Sequence, residues 1–200
     1  GSITMLFNTP NLLTFLRIAL IPAFIVAYYL AKPWAHALAT GLFILAALTD
    51  WLDGYLARRL EQTSPFGAFL DPVADKLMIA AALVLLVADP YVQVHVLDTR
   101  LFSVVVLVIL GREIAVSALR EWMSEVGKRS HVAVSVIGKA KTSAQMIAIP
   151  FLLWRDPFWD LPVFQLGEIL LYSAAALTLW SMFSYLKAAW PNLIAPRQIK

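Results

Sequence analysis

Four aspartates interrupt two otherwise apolar stretches: Asp50 and Asp53 close one, and Asp71 and Asp75 open the next. An ionised carboxylate in a membrane segment costs a few kcal/mol, so four together need a cation or water to compensate them. Spacings of three and four residues put each pair on one helix face. The pairs also mirror each other. Asp53 and Asp71 are equidistant from Gln62, and Asp50 and Asp75 are centred between Gln62 and Thr63. An antiparallel hairpin turning there brings both pairs to one depth, about 7–14 Å inside the helix ends at about 1.5 Å per residue. That depth suits a lipid headgroup better than the bilayer centre. Four convergent carboxylates make a hard-oxygen nest for Mg²⁺ or Mn²⁺. Two such ions can clamp a pyrophosphate, activate an attacking oxygen and stabilise a leaving one. A helix cap, or a pair with Arg58, Arg59 or Lys76, would explain any one aspartate alone; the mirrored register of all four favours a ligand. Gly54, Ala57 and Gly67 lie among them, where small residues let a backbone approach a ligand or another helix.

A second group of charges is basic. Arg112 and Arg120 stand eight residues apart in one stretch, about 80° apart on a helix. Lys139 and Lys141 open another stretch, and Arg17 lies in the first. Such groups can hold a phosphate that the carboxylates would repel. The alternative is local satisfaction: Arg112 beside Glu113, Arg120 beside Glu121, and lysines snorkelling to the interface. Lys139 and Lys141 are about 200° apart on a regular helix, so both face one ligand only if the helix start is irregular. His36, His95 and His131 are poor candidates for chemistry, and the lone acid Glu168 is expected to hydrogen-bond a neighbouring helix.

The elements that must carry these charges are hydrophobic. The 200-residue chain is 60% hydrophobic and 14% charged, with formal net charge +3, against about 25% charged in ordinary soluble domains. Its mean hydropathy is +0.75. These values exclude a disordered chain and argue against a water-soluble enzyme. The absence of cysteine excludes a disulfide framework, a thiolate zinc site and a cysteine nucleophile. Apolar stretches run over 11–31, 36–58, 66–88, 101–124, 132–154 and 163–188, each near the length of about 20 residues that crosses a bilayer. Lys32-Pro33, Ser64-Pro65, Asp89-Pro90 and Asp156-Pro157 mark breaks between them. The expected fold is therefore an all-α integral membrane protein with six transmembrane helices. Six spans put both termini on one side, with Arg58, Arg59, Lys128, Arg129, Lys139, Lys141, Lys187, Arg197 and Lys200; the other side holds Lys32, Arg100 and Arg155. Nine against three makes the first side cytoplasmic and places Trp34, Trp154 and Trp159 at the opposite interface. One domain is expected over residues 5–190, with a cytoplasmic tail over 191–200. Residues 1–4 look like a cloning scar before a native start at Met5, and Arg17 within the first apolar stretch argues against a cleavable signal.

The acidic hairpin reads Asp50-x-x-Asp53-Gly54-x-x-Ala57-Arg58, eight residues, Gly67, three residues, Asp71, three residues, Asp75. It resembles the complete signature of the CDP-alcohol phosphotransferases, eight specified residues over 26 positions. That resemblance implies a six-helix membrane enzyme, usually a homodimer, which uses divalent metal, Mg²⁺ or Mn²⁺ as two ions, and an alcohol to displace CMP from a CDP-linked substrate. It implies that Asp50, Asp53, Asp71 and Asp75 bind metal and that Asp75 is also the base for the attacking hydroxyl. It assigns Asp50, Gly54, Arg58, Gly67 and Asp71 to the CDP moiety. Further segments, among them Asn8 to Arg17, Gly111 to Ile114, Ser117 to Trp122 and Gly138 to Met146, resemble a bacterial subfamily that joins CDP-diacylglycerol to sn-glycerol 3-phosphate. On that resemblance the enzyme sits in the cytoplasmic (inner) membrane with its site facing the cytoplasm, and has no nucleic-acid partner. Arg17, Arg112, Arg120, Lys139 and Lys141 become candidates for the acceptor phosphate; inositol phosphate as acceptor would need such cations equally. A divalent-cation transporter would also place carboxylates in the membrane. It predicts acids continuing across the bilayer, whereas these cluster at one depth, and it leaves Arg112 and Lys139 without purpose.

Overall fold

Away from water a backbone must satisfy its own N–H and C=O groups, and long apolar runs do so as helices. The computed structural model describes residues 9–60, 65–125 and 136–194. Within them lie α1 (Thr9–Tyr29), α2 (Ala35–Leu60), α3 (Pro65–Ala88), a short α4 (Pro90–His95), α5 (Thr99–Glu125), α6 (Val136–Trp154) and α7 (Val163–Ile194). Among these residues the only β pairing is one bridge between Phe158 and Leu161. The expected positions of Asn8, Gln62, Thr63, Lys128, Arg129, His131, Arg197 and Lys200, and of the start at Met5, lie outside the described residues.

The apolar stretches and the long helices coincide closely, with two differences. The Asp89-Pro90 break contains α4, because Asp89 caps it by accepting from Tyr91 N at 2.9 Å and Pro90 begins it, the arrangement proline favours at a helix start. At the other end, α7 runs to Ile194 through Pro191, so the tail expected from 191 begins as helix.

Helices α1, α2, α5 and α7 contain windows long and apolar enough to cross a membrane, by length and composition. In α3, the charges Asp71, Asp75 and Lys76 break the apolar run. Only 28–33% of each apolar window is buried within the chain, and Val26, Leu107, Ile114 and Phe183 are more than 60% exposed. Apolar surface on this scale needs lipid against it, and the molecule is an all-helical, multi-pass membrane protein. Hydroxyls on the spans return to their own helix: Thr40 donates to His36 O, Thr49 to Ala46 O and Thr178 to Ala174 O at 2.6–2.7 Å.

Inside, Phe24, Phe43, Leu83, Phe102, Ile109, Ile149, Leu152 and Phe164 form a continuous core. The most extensive helix contact is α6 on α7, followed by α1 on α2; α3 meets α6 only lightly. Gly167 is the reason α7 can lie so close to α6, since a Cβ there would stand 2.9 Å from Phe151 Cβ and 3.1 Å from Ala148 O. Beside it, buried Glu168 accepts from Leu97 N at 2.9 Å and from the Tyr172 hydroxyl at 2.6 Å. The acid thus ties α7 to the connection between α4 and α5.

Candidate active site

The acidic pairs sit on the last three turns of α2 and the first three of α3, and helix α1 crosses them both. Thr14 and Arg17, one turn apart on α1, are fully buried against them. Arg17 Nη1 lies 3.2 Å from Asp50 Oδ1, and Nη2 lies 3.2 Å from Asp53 Oδ2. Its Nη1 also reaches the Asp71 carbonyl at 3.5 Å. The Thr14 hydroxyl donates to Asp53 Oδ2 at 2.8 Å and lies equally against Asp71 Oδ1. Asp53 and Asp71 also meet each other, Asp50 feels the Asp71 charge, and Asp75 stands in the field of Asp50, Arg17, Glu113 and Lys76. Asp53 is buried and Asp50 is 47% exposed at its side chain. The hairpin therefore presents one buried wall and one open mouth, with Asp75 beside a small void that Arg17 also lines.

These donors suit a divalent cation chemically, as carboxylate oxygens throughout. Asp53 Oδ1 is buried with no hydrogen-bond partner among the described residues, an acceptor that a cation would satisfy. Among the described residues no three acidic or imidazole side chains converge closely enough to hold a metal ion; the guanidinium of Arg17 bridges two of the carboxylates instead. This is where the structure departs from grouping Arg17 with the acceptor cations. A buried cation is drawn to the nearest anions, and for Arg17 these are Asp50 and Asp53.

Gly54 is exposed on α2, and nothing lies within 4 Å of where its Cβ would be. Its missing side chain opens space beside the carboxylates and serves no tight helix contact among the described residues. Gly67 is buried, while Arg58 is exposed in the last turn of α2, where a cation is favoured by the helix dipole. The side chain of Ala57 lies outside what is described.

The basic residues divide. Lys141 is 1% exposed, and its Nζ is buried with no hydrogen-bond partner among the described residues. Arg112, Glu113 and Arg120 surround it electrostatically. Arg112 Nη1 pairs with Glu113 Oε1 at 3.1 Å, yet its Nε is also buried and has no partner among the described residues. Lys139 is exposed: α6 is already regular at Val136, and residues two apart on a helix face apart. A buried ammonium without a partner is costly, so Lys141 marks an anion site more sharply than either arginine. The Glu113 charge reaches both Lys141, which it attracts, and Asp75, which it repels, so the basic group and the acidic hairpin are neighbours.

Sequence reading gave Thr14 no role, although its place one turn before Arg17 put both on one face. Of the histidines, His36 is half-buried at the end of the bundle away from the carboxylates. His95 is exposed and stacks on Tyr91 at 3.9 Å between ring centroids.

Residues 7–180 match the family described as CDP-alcohol phosphatidyltransferase. A Pectobacterium atrosepticum protein named CDP-diacylglycerol–glycerol-3-phosphate 3-phosphatidyltransferase is 54% identical over 192 residues, 96% of this chain and 100% of that protein. A protein of the same name from Yersinia enterocolitica is 53% identical over the same shares. One from Pseudomonas fluorescens is 54% identical, over 93% of this chain and 92% of its own length.

Proposed function

The chain belongs to the CDP-alcohol phosphatidyltransferase family, and from that membership we infer that it is a phosphatidyltransferase that moves the phosphatidyl group of CDP-diacylglycerol to sn-glycerol 3-phosphate. The products are phosphatidylglycerophosphate and CMP, a step of phospholipid synthesis. The observation that carries the acceptor is near-full-length identity of 53–54% to proteins that bear that activity in their names. The buried cation Lys141, within the field of Arg112 and Arg120 and with the Glu113 charge reaching both it and Asp75, supports an acceptor that carries a phosphate.

Asp50, Asp53, Asp71 and Asp75 would hold divalent metal, Mg²⁺ or Mn²⁺ as two ions, which when bound neutralises the pyrophosphate charge and polarises its phosphorus. The chain's own residues do the rest. Thr14 and Arg17 orient Asp50, Asp53 and Asp71 from the buried side. The open backbone at Gly54 lets the cytidine diphosphate lie close to α2, with Arg58 and Gly67 at its edges. Lys141, Arg112 and Arg120 hold the acceptor phosphate. Lys139, exposed on the other face of α6, has no part in that grip. Asp75 accepts the proton of the attacking hydroxyl. The acceptor oxygen then forms a bond to the phosphorus that bears diacylglycerol, the pyrophosphate P–O bond breaks, and CMP leaves with the bridging oxygen.

The six long helices support six spans. With nine basic residues on one side and three on the other, both termini and the carboxylates face the cytoplasm and α4 lies on the far side. In a bacterium this is the inner membrane. A homodimer follows from family resemblance, and the exposed apolar faces leave room for one. The domain then runs from about residue 5 to 190, with α7 continuing beyond it.

The purified protein, given CDP-diacylglycerol, Mg²⁺ and one acceptor at a time, is expected to release CMP with glycerol 3-phosphate. Release with inositol phosphate and none with glycerol 3-phosphate would reassign the acceptor. Lys141→Met keeps much of the side-chain length and removes the charge. It is expected to lower kcat/KM for glycerol 3-phosphate by the equivalent of about 2–5 kcal/mol, as for truncation of a buried charge contact, with the KM for CDP-diacylglycerol unchanged. An unaltered acceptor KM would return Lys141 to a structural role.

A further inference from the structure

At the end of the bundle away from the carboxylates, Arg155 Nη2 pairs with Asp89 Oδ2, and both side chains are only 10% exposed. The Tyr28 hydroxyl donates to the same Asp89 oxygen, and Arg155 Nη2 in turn donates to that hydroxyl at 3.3 Å. The guanidinium carbon stands 4.5 Å from the centre of the Tyr91 ring, a cation–π contact. Arg155 has φ 68°, and its N–H closes α6 on Phe151 O at 3.2 Å. This left-handed position after a helix is ordinarily glycine's. An arginine takes it here against the preference of a residue with a Cβ, and its side chain is tied to Asp89, Tyr28 and Tyr91.

Three helices meet in this cluster, and they are three that carry the site. Tyr28 stands fourteen residues after Thr14 on α1, Asp89 fourteen after Asp75 of α3, and Arg155 fourteen after Lys141 of α6. Fourteen residues are about 21 Å of helix, so each latch residue stands about that far along the bundle from its partner in the site. The latch is thus a layer parallel to the site, joined to it by three helical rods. One of these rods is packed unevenly around the site. Helix α6 lies extensively on α7, where Gly167 seats it, less so on α2, and only lightly on α3. Yet the donor carboxylates are on α2 and α3 and the acceptor cation is on α6. A tilt of about 3° about the latched end carries Lys141 by about 1 Å, and misplacement on that scale can cost about 10²-fold in rate.

We propose that Arg155 is a positioning residue: its latch to Asp89 and Tyr28 sets the tilt of α6 against α1 and α3, and so the distance at which the acceptor meets the donor. This rests on the placing of the acceptor phosphate at Lys141, and the test reads helix geometry as well as rate. Asp89→Asn is the main variant, since asparagine caps α4 equally well and loses the ion pair. Turnover with CDP-diacylglycerol and glycerol 3-phosphate is expected to fall about 10-fold or more, within the cost of such misplacement, with the KM for CDP-diacylglycerol unchanged. The chain has no cysteine, so spin labels can be placed at Phe69→Cys on α3 and Ala140→Cys on α6, both exposed positions. Their distance distribution, measured without substrate by pulsed dipolar spectroscopy, is expected to broaden in Asp89→Asn. Arg155→Met should repeat both effects. If Asp89→Asn does not fold, Tyr28→Phe, which deletes one oxygen, carries the same two readouts. An unchanged distribution and unchanged turnover, even with a lower Tm, would overturn the proposal and leave the latch as a stabilising contact. A broadened distribution with normal turnover would overturn the link to Lys141 while leaving the assigned reaction intact.

Discussion

Asp75→Asn is expected to lower turnover by about 10²–10⁴, the usual contribution of a general base, while binding of CDP-diacylglycerol falls much less. The exchange is nearly isosteric, so packing around half-buried Asp75 survives. The amide keeps one oxygen as a ligand but cannot accept the hydroxyl proton. The position singles Asp75 out among the four acids: Thr14 and Arg17 engage Asp50, Asp53 and Asp71 directly, whereas Asp75 is reached by the charge of Glu113, which pairs with Arg112. Asp50→Asn should behave differently, weakening metal and nucleotide binding together, because it sits at the open mouth beside Gly54. Steady-state CMP release and donor binding, measured on protein shown to be folded in detergent, separate the two cases. Near-normal turnover of Asp75→Asn would assign the proton to water or another group and leave Asp75 at most a ligand.

Exhaustive chelation is expected to take CMP release below detection, and Mg²⁺ or Mn²⁺ to restore it, since every candidate ligand is a carboxylate oxygen. A direct measurement accompanies the assay. Mn²⁺ bound to the protein loses its sharp free-ion resonance, and this loss should be weaker in Asp53→Asn, which replaces the buried carboxylate that holds the unpartnered oxygen. Full turnover after chelation would remove the two-ion reading of the hairpin. Retained turnover in Asp53→Asn with weakened Mn²⁺ binding would place the essential ion on the other three acids.

Much of this could be read along the chain. The apolar stretches coincide with the long helices to within a few residues, because burial in lipid leaves the backbone no alternative to pairing with itself. The three- and four-residue spacings of the aspartates placed each pair on one helix face, since helical period is a local property. The same periodicity separated Lys139 from Lys141, one exposed and one buried. Less legible was α4, whose six residues are too few to show a period and depend on a cap. The end of α7 was also less legible, since the helix runs on through Pro191 to Ile194.

Partner choice between helices was decided only in three dimensions. Arg17 had equal reason, from its charge, to serve the acceptor phosphate or the carboxylates; the packing of α1 across the hairpin gave it to Asp50 and Asp53. Arg155 and Asp89 lay in two breaks that sequence could describe only as turns, 66 residues apart. Their pairing with Tyr28 exists because α1, α3 and α6 end at one level. By itself the sequence determined which residues share a face of one helix and that the helices lie in a membrane, because both follow from local period and composition. The tertiary structure decided which faces meet, because rotation and tilt of packed helices depend on side-chain interlocking and on close approaches such as Gly167 against Ala148, which no single helix encodes.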